Sequence, residues 1–331
     1  MKSWRTSAPG RVWFGSVVVC VCAAGLSAGT VRADDPVPSA TPASQADKVT
    51  LRYRFTPGQI VHYEVTHAGE ITTQVAEVAE TTRNKTQSRK HFRVAGIAAD
   101  GAGELELVID WVRLEASFGD NPPTVFQSDD PEKQPRAYDA VLQAIGKPQA
   151  VLRLSPVGKV LDLTRKDVKP GSAGASAGST AGVKSTAGAS SAPESYLVPL
   201  PENAVAVGET WKERFELDVV TQDKLPLKVA MQRTYKLASL DKQQATIDFR
   251  TTILTPIEDP ALAAQLIQRE TSGKIVFDID KGLIVSRTSA VDRMVVNPFG
   301  SKSSMRASST YREQWIPEGR LAAGESGTVR K

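Results

Sequence analysis

The chain has 331 residues, with 41 Lys and Arg against 37 Asp and Glu, three histidines and two cysteines. Both cysteines, Cys20 and Cys22, stand in one apolar run near the N-terminus, so the rest of the chain holds no thiolate metal site and no disulfide. The formal charge of +4 also sits there, which removes any charge-based case for binding nucleic acid.

Residues 1–33 read as a cleavable secretory signal. Lys2, Arg5 and Arg11 precede the apolar stretch Val12 to Leu26, which is too short to cross a hydrocarbon core of ~30 Å as a helix. Val31-Arg32-Ala33 then supplies the small-residue cleavage pattern, with Ala33 as the last residue removed. An uncleaved N-terminal anchor is the alternative. Cys20 and Cys22 each follow valine, which does not fit a lipoprotein signal. The leader contains four basic residues and no acid, leaving 37 of each sign and a neutral exported chain, expected in the periplasm or secreted.

Two segments lack any hydrophobic period. Residues 34–48 are rich in Pro, Ser and Ala and read as a disordered tether. Residues 169–194 are almost wholly Gly, Ala, Ser and Thr and read as a linker. They set off two parts, 49–168 and 195–316, before a polar tail at 317–331. About 240 ordered residues suffice for a substantial core.

Both parts alternate with period two, the mark of antiparallel strands with one wet face. Val49, Leu51, Tyr53 and Phe55 share one side; Val61, Tyr63 and Val65 follow the turn at Pro57-Gly58. Val229, Met231, Tyr235 and Leu237 repeat the pattern later, as do Ala245, Ile247 and Phe249. Tyr138, Val141, Leu142 and Ile145 have helical spacing, and Asp259-Pro260 offers an N-cap and N1 proline to a second short helix.

The order of elements suggests one unit written twice. Phe92 to Ile97 parallels Tyr235 to Leu240, and each is followed by a long strand, a short helix and a hairpin. The hairpins turn at Ser155 to Lys159 and at Asp280-Lys281-Gly282. The first unit carries a Pro-rich insertion, Phe118 to Pro135, expected as a surface loop. The second ends in two further strands, Ala290 to Val296 and Met305 to Trp315. The expected fold is mainly β: a duplicated antiparallel repeat forming a large curved sheet or two stacked half-barrels, with one short helix per repeat.

The segments Leu51 to Gln59 and Leu200 to Trp211 resemble those of an uncharacterised family of exported bacterial proteins. Members open on an aromatic, basic strand that ends in a glycine turn, and carry a Val-Gly-x-Thr-Trp element at the second repeat. The resemblance implies coverage of most of 49–316 and no activity. More loosely, strands with short helices over a concave sheet resemble the unclosed-barrel lipoprotein carriers of the envelope.

Chemistry-bearing motifs are sparse. The chain has no nucleophile elbow, His-Glu-x-x-His helix or phosphate-cradling loop. His62 and His67 point to opposite faces of one strand, and His91 lies in a basic run, so exposed strand histidines are expected. A zinc site would need carboxylates from distant elements. Asp278 to Gly282 begins like a calcium loop but lacks its later ligands and reads as a turn. Asp129, Asp130 and Glu132 read as solvated loop acids. Asn84-Lys85-Thr86 is a fortuitous glycosylation sequon. Arg83, Lys85, Arg89, Lys90 and Arg93 form the candidate stripe for an anionic partner, or else a solvated strand that blunts a sheet edge. No catalytic, cofactor or metal residue is assigned, and no cofactor is expected.

The leading functional expectation is a non-catalytic envelope protein that binds a partner protein or an amphipathic ligand on its concave sheet. A structural or assembly protein, and a hydrolase without a recognisable motif, are the alternatives. Leu105, Leu107, Ile109 and Trp111, with Phe215, Leu217 and Val219, are expected to face inward, as core or as an apolar pocket.

Overall fold

The computed structural model describes residues 48–165, 197–221 and 224–317. The signal, the 169–194 linker, all but Lys48 of the tether and all but Pro317 of the tail lie outside the described residues. Among the described residues, twelve strands form one antiparallel sheet. The first half contributes β1 (Ile60–Val75), β2 (Val78–Ile97), β3 (Gly103–Phe118), β4 (Thr124–Gln127), β5 (Pro148–Leu154) and β6 (Val160–Arg165). The second contributes β7 (Thr210–Val220), β8 (Pro226–Asp241), β9 (Gln244–Ile253), β10 (Ser272–Asp278), β11 (Leu283–Val296) and β12 (Ser303–Ile316). Helix α1 (Asp139–Ala144) lies between β4 and β5, and α2 (Pro260–Leu266) between β9 and β10. The strand order is β6-β5-β3-β2-β1-β12-β11-β10-β9-β8-β7, with β4 paired to β3. Each half is thus a meander, and the two are joined by β1 against β12, in register from His62↔Ile316 to Val75↔Ser303.

Alternation divides this sheet into two faces. The inner face carries Tyr63, Val65, Phe92, Val94, Leu105, Tyr235, Leu237, Ile247 and Phe277, all buried. Two extended segments pack against it, residues 49–55 and 197–206. Leu51 and Tyr53 join Val198 and Leu200 in a cluster with Tyr235, Phe249 and Phe277. Their backbone groups find partners without a full ladder: Val49 and Val205 exchange hydrogen bonds, Tyr53 N donates to Pro156 O, and Arg54 N donates to Gly282 O. The Tyr53 hydroxyl donates to Val198 O at 2.9 Å and accepts from Val198 N at 3.1 Å.

The helices cover what the segments leave. In α2, Asp259 caps Ala261 N at 2.9 Å ahead of Pro260, as expected from Asp-Pro. Leu262 and Leu266 pack on Leu217, Val229 and Met231, and Ala264 and Ile267 on Ile71, Met305 and Ala307. Tyr138, Val141, Leu142 and Ile145 pack on Val112, Leu114 and Phe126.

Several details differ from the sequence reading. Residues 49–55 alternate as expected but form no ladder strand, only the Val49–Val205 bridge. The Phe118 to Pro135 insertion is not all surface loop, because β4 within it buries Phe126 completely, against Leu114 and the Tyr138 ring. The final hairpin strand and Ala290 to Val296 are one continuous strand, β11. Trp111 does not share a face with Leu105, Leu107 and Ile109. A bulge sets Ile109 opposite Lys90 and Trp111 opposite Arg89, leaving Asp110 as the extra residue. The phase shifts by one, and Trp111 turns to the outer face beneath Arg89, 5.5 Å from guanidinium to ring.

Gly158 links the β5–β6 turn to the inner segments. Its φ is +75°, and a Cβ there would stand 2.6 Å from both the Tyr53 ring and Val198 O. Gly158→Ala is therefore expected to destabilise the fold by about 2–4 kcal/mol through combined strain and overpacking. Gly96→Ala, with nothing within 4 Å of the new methyl, serves as the control. Urea unfolding of the two variants checks this; equal midpoints would contradict the interior packing.

Candidate functional site

The described inner face is built of buried apolar clusters. A small gap of about 30 Å3 lies between Tyr53, Phe55, Tyr63, Phe92 and Leu105. Leu105 and Leu217 are buried members of core clusters, with Leu107, Ile109, Phe215 and Val219 packed against such clusters.

That core contains a deeply buried ion pair. Lys90 Nζ lies 2.6 Å from Glu313 Oε1, with the side chains only 11% and 4% exposed. Burial alone would lower the Lys90 ammonium, but Glu313 together with Tyr311 holds it above the ordinary lysine value. Burial also pushes the Tyr311 hydroxyl up to about 12. Arg287, the cross-strand neighbour of Glu313, lies over the Tyr311 ring at 5.4 Å.

The outer face is different. An open cleft of about 910 Å3 runs across it. One register row crosses seven strands of its floor: Arg250, Ser272, Ala290, Thr310, Ala68, Lys85 and Glu115. Small side chains occupy the middle and charged ones both ends. A second row adds Asp292, Ser308, Glu70 and Arg83. These charges are paired: Arg83 Nε with Glu70 Oε2 at 2.8 Å and Arg306 with Asp292 at 2.7–2.9 Å. The Arg306 contact holds the Asp292 carboxyl below its ordinary value. Beyond the cleft, the β1–β2 and β11–β12 turns sit together, tied by Ala76 N donating to Lys302 O, and expose Val78, Met294 and Phe299.

The candidate basic stripe is split between these faces. Lys90 points inward to Glu313. Arg83 and Lys85 line the cleft, Arg89 covers Trp111, and Arg93 Nε donates to Glu106 Oε2 at 2.9 Å. Asp278 and Lys281 close the turn ending at Gly282 by a 2.8 Å ion pair. Asp130 caps a short 3-10 turn and pairs with Lys133 at 2.6 Å.

A further cluster, absent from the sequence reading, lies at the other end of the outer face. His62 and His91 are direct cross-strand partners, and the bulge at Asp110 aims a carboxylate at both. His91 Nδ1 lies 2.8 and 3.0 Å from the two Asp110 oxygens, and His62 Nδ1 lies 3.7 Å from Oδ2. Neither histidine is the isolated, exposed residue expected; their side chains are 24% and 17% exposed. His67 does point to the opposite face, where burial lowers its imidazole below the ordinary value.

Comparison with known proteins gives a partial family match and one weak structural likeness. Residues 185–284 match the Family of unknown function (DUF6263). The match includes Leu200 to Trp211 but stops short of the first half. No curated protein matches the chain. Among solved structures, one of lipovitellin, described for its lipid–protein interactions, aligns at 12% identity and a TM-score of 0.43. That alignment covers 80% of this chain and 26% of the lipovitellin chain, so this chain spans about a quarter of that length.

Removing one member of the inner ion pair strands a buried charge. Lys90→Met or Glu313→Gln is expected to cost about 3–5 kcal/mol. The double variant should cost less than the sum, with a coupling of at least about 1 kcal/mol. Because the Lys90 pKa is raised on folding, its contribution is complete below 10.5 and lost as pH climbs through the raised value. Denaturant midpoints of the two singles and the double, at neutral and alkaline pH, check both statements; strict additivity would contradict them.

Proposed function

We propose that this chain is an exported, non-catalytic protein of the cell envelope that binds an amphipathic segment of a partner protein in its outer cleft. The observation that carries the reading is the open cleft of about 910 Å3 on the outer face, opposite an inner face built of buried apolar clusters. A site of that size suits a ligand or a few residues of chain. Small residues along its middle admit a backbone, and paired acids and bases at its ends suit side chains of both signs. Asp292, ionised beside Arg306, acts as a hydrogen-bond acceptor rather than a proton donor. Met294, two residues along β11 from Asp292, is exposed.

The leader features at 1–33 support export, with the chain starting at Asp34 after cleavage. The same reading takes the halves as a duplicated unit. Its support is the matching of two turns. Gln59 N donates to Thr56 O and Glu209 N to Ala206 O, while each side chain accepts from the residue three back. Gly58 and Gly208, both at positive φ, then donate to Val94 O and Leu237 O. A bulge follows at Ala95 in β2 and at Ala238 in β8.

Site-specific photo-crosslinking in a bacterial host that exports the chain tests the proposal. A photoreactive residue at Ser308 or Thr310 should give a discrete protein adduct on a chain beginning at Asp34, and one at exposed Lys236 should not. Arg83→Glu with Lys85→Glu should reduce the adduct at least about tenfold, as should salt well above physiological strength. No adduct from the cleft above the Lys236 background, or a chain retaining residues 1–33, would overturn it.

A further inference from the structure

We infer that His62, His91 and Asp110 form a binding site for a borderline divalent transition-metal ion such as Zn2+, independent of the cleft. Among the described residues they form the one group of three such donors whose ligand atoms all lie within 4.8 Å of one another. Zinc bonds of about 2.0–2.2 Å place tetrahedral ligand atoms roughly 3.3–3.5 Å apart. The His91–Asp110 and His62–Asp110 separations already bracket that spacing, and the remaining closure of roughly 1 Å lies within side-chain rotation. Two imidazoles and one carboxylate are a donor set that zinc accepts, with a fourth position left to water.

The backbone holds the donors in place. Two come from facing positions of a long antiparallel ladder, and the third from a bulge that exists only in the β2–β3 pairing. A bulge re-aims a side chain at the cost of a ladder pairing, and such features concentrate at functional sites. The partial exposure of all three residues leaves a path for an ion. Neighbouring charges do not oppose it. Arg93 on one side is bound to Glu106, and Arg89 on the other lies opposite Glu64. Lys90 faces inward to Glu313. The local balance of Arg89, Arg93, Glu64, Glu106 and Asp110 is therefore negative, before either histidine protonates. In the metal-free protein His91 Nδ1 and Asp110 share a hydrogen bond, which the metal replaces with release of its proton.

The test uses the full chain without a polyhistidine tag, stripped with chelator, and titrated with Zn2+ by calorimetry and with Co2+ by absorption. One equivalent of Zn2+ should bind. Affinity should fall between pH 7.5 and 5.5, because the metal competes with protons for imidazole. His91→Gln and His62→Gln should each weaken binding by more than about 100-fold, and Asp110→Asn by more than about tenfold. His67→Gln, on the opposite face, should leave affinity unchanged. Thermal melts in chelator verify that each variant is folded. The Co2+ spectrum needs no variant: bound cobalt should show intensified visible bands of low coordination number. Absence of Zn2+ binding, affinity unchanged in His91→Gln, or a Co2+ spectrum identical to that of the free ion would each overturn the assignment.

Discussion

The packing of two extended segments against the inner face is the constraint on which the rest of this structure depends. A twelve-stranded sheet with two short helices has far more apolar inner surface than the helices can cover. Residues 49–55 and 197–206 supply the missing layer. Leu51, Tyr53, Val198 and Leu200, all buried, are each worth roughly 1.5–3 kcal/mol of burial, and the Tyr53 hydroxyl is satisfied by Val198 on both its donor and acceptor sides. The glycines at 158 and 282 permit the approach, since a side chain at either would strike Tyr53 or Arg54. The inner face is thus covered by the chain's own residues.

The two faces of β2 show how one strand serves both ends. Lys90 turns inward to a buried carboxylate, while Arg83, Lys85, Arg89 and Arg93 turn outward, each beside an acid or an aromatic ring. A run of like charges in sequence thus becomes, through strict alternation and cross-strand pairing, a set of locally balanced contacts. Lys90 and Glu313 reach each other from either side of β1, the strand that joins the two meanders. The ion pair therefore sits where the sheet is assembled from its halves.

Much of the architecture was legible because period-two patterning survives in long strands: Tyr63 with Val65, Tyr235 with Leu237 and Ile247 with Phe249 all read correctly. Asp259-Pro260 marked α2 through two local requirements, a capping oxygen and a missing N–H. Illegible features share one cause, dependence on a neighbour's register. Leu51 and Tyr53 alternate like a strand, yet whether a ladder forms depends on what lies beside them. Phe126 hides among prolines and acids that alone suggest solvent. The β1–β2 turn places Ala76 at φ +54°, where hairpins usually signal themselves with glycine or asparagine, so nothing local announced that His62 would face His91. The Asp110 bulge is a one-residue phase change that misplaced Trp111 and concealed the carboxylate. A reading that paired β1 with β2 from their apolar faces would have brought the two histidines together.

The central claim is that the interior is occupied by protein and that ligands belong outside. Native mass spectrometry of the chain purified from an exporting host, with organic extraction of the same sample, tests it most directly. The account predicts a mass equal to the polypeptide, apart from bound metal, and an extract free of acyl or other apolar molecules. A stoichiometric organic adduct that survives native conditions and is released on unfolding would contradict it.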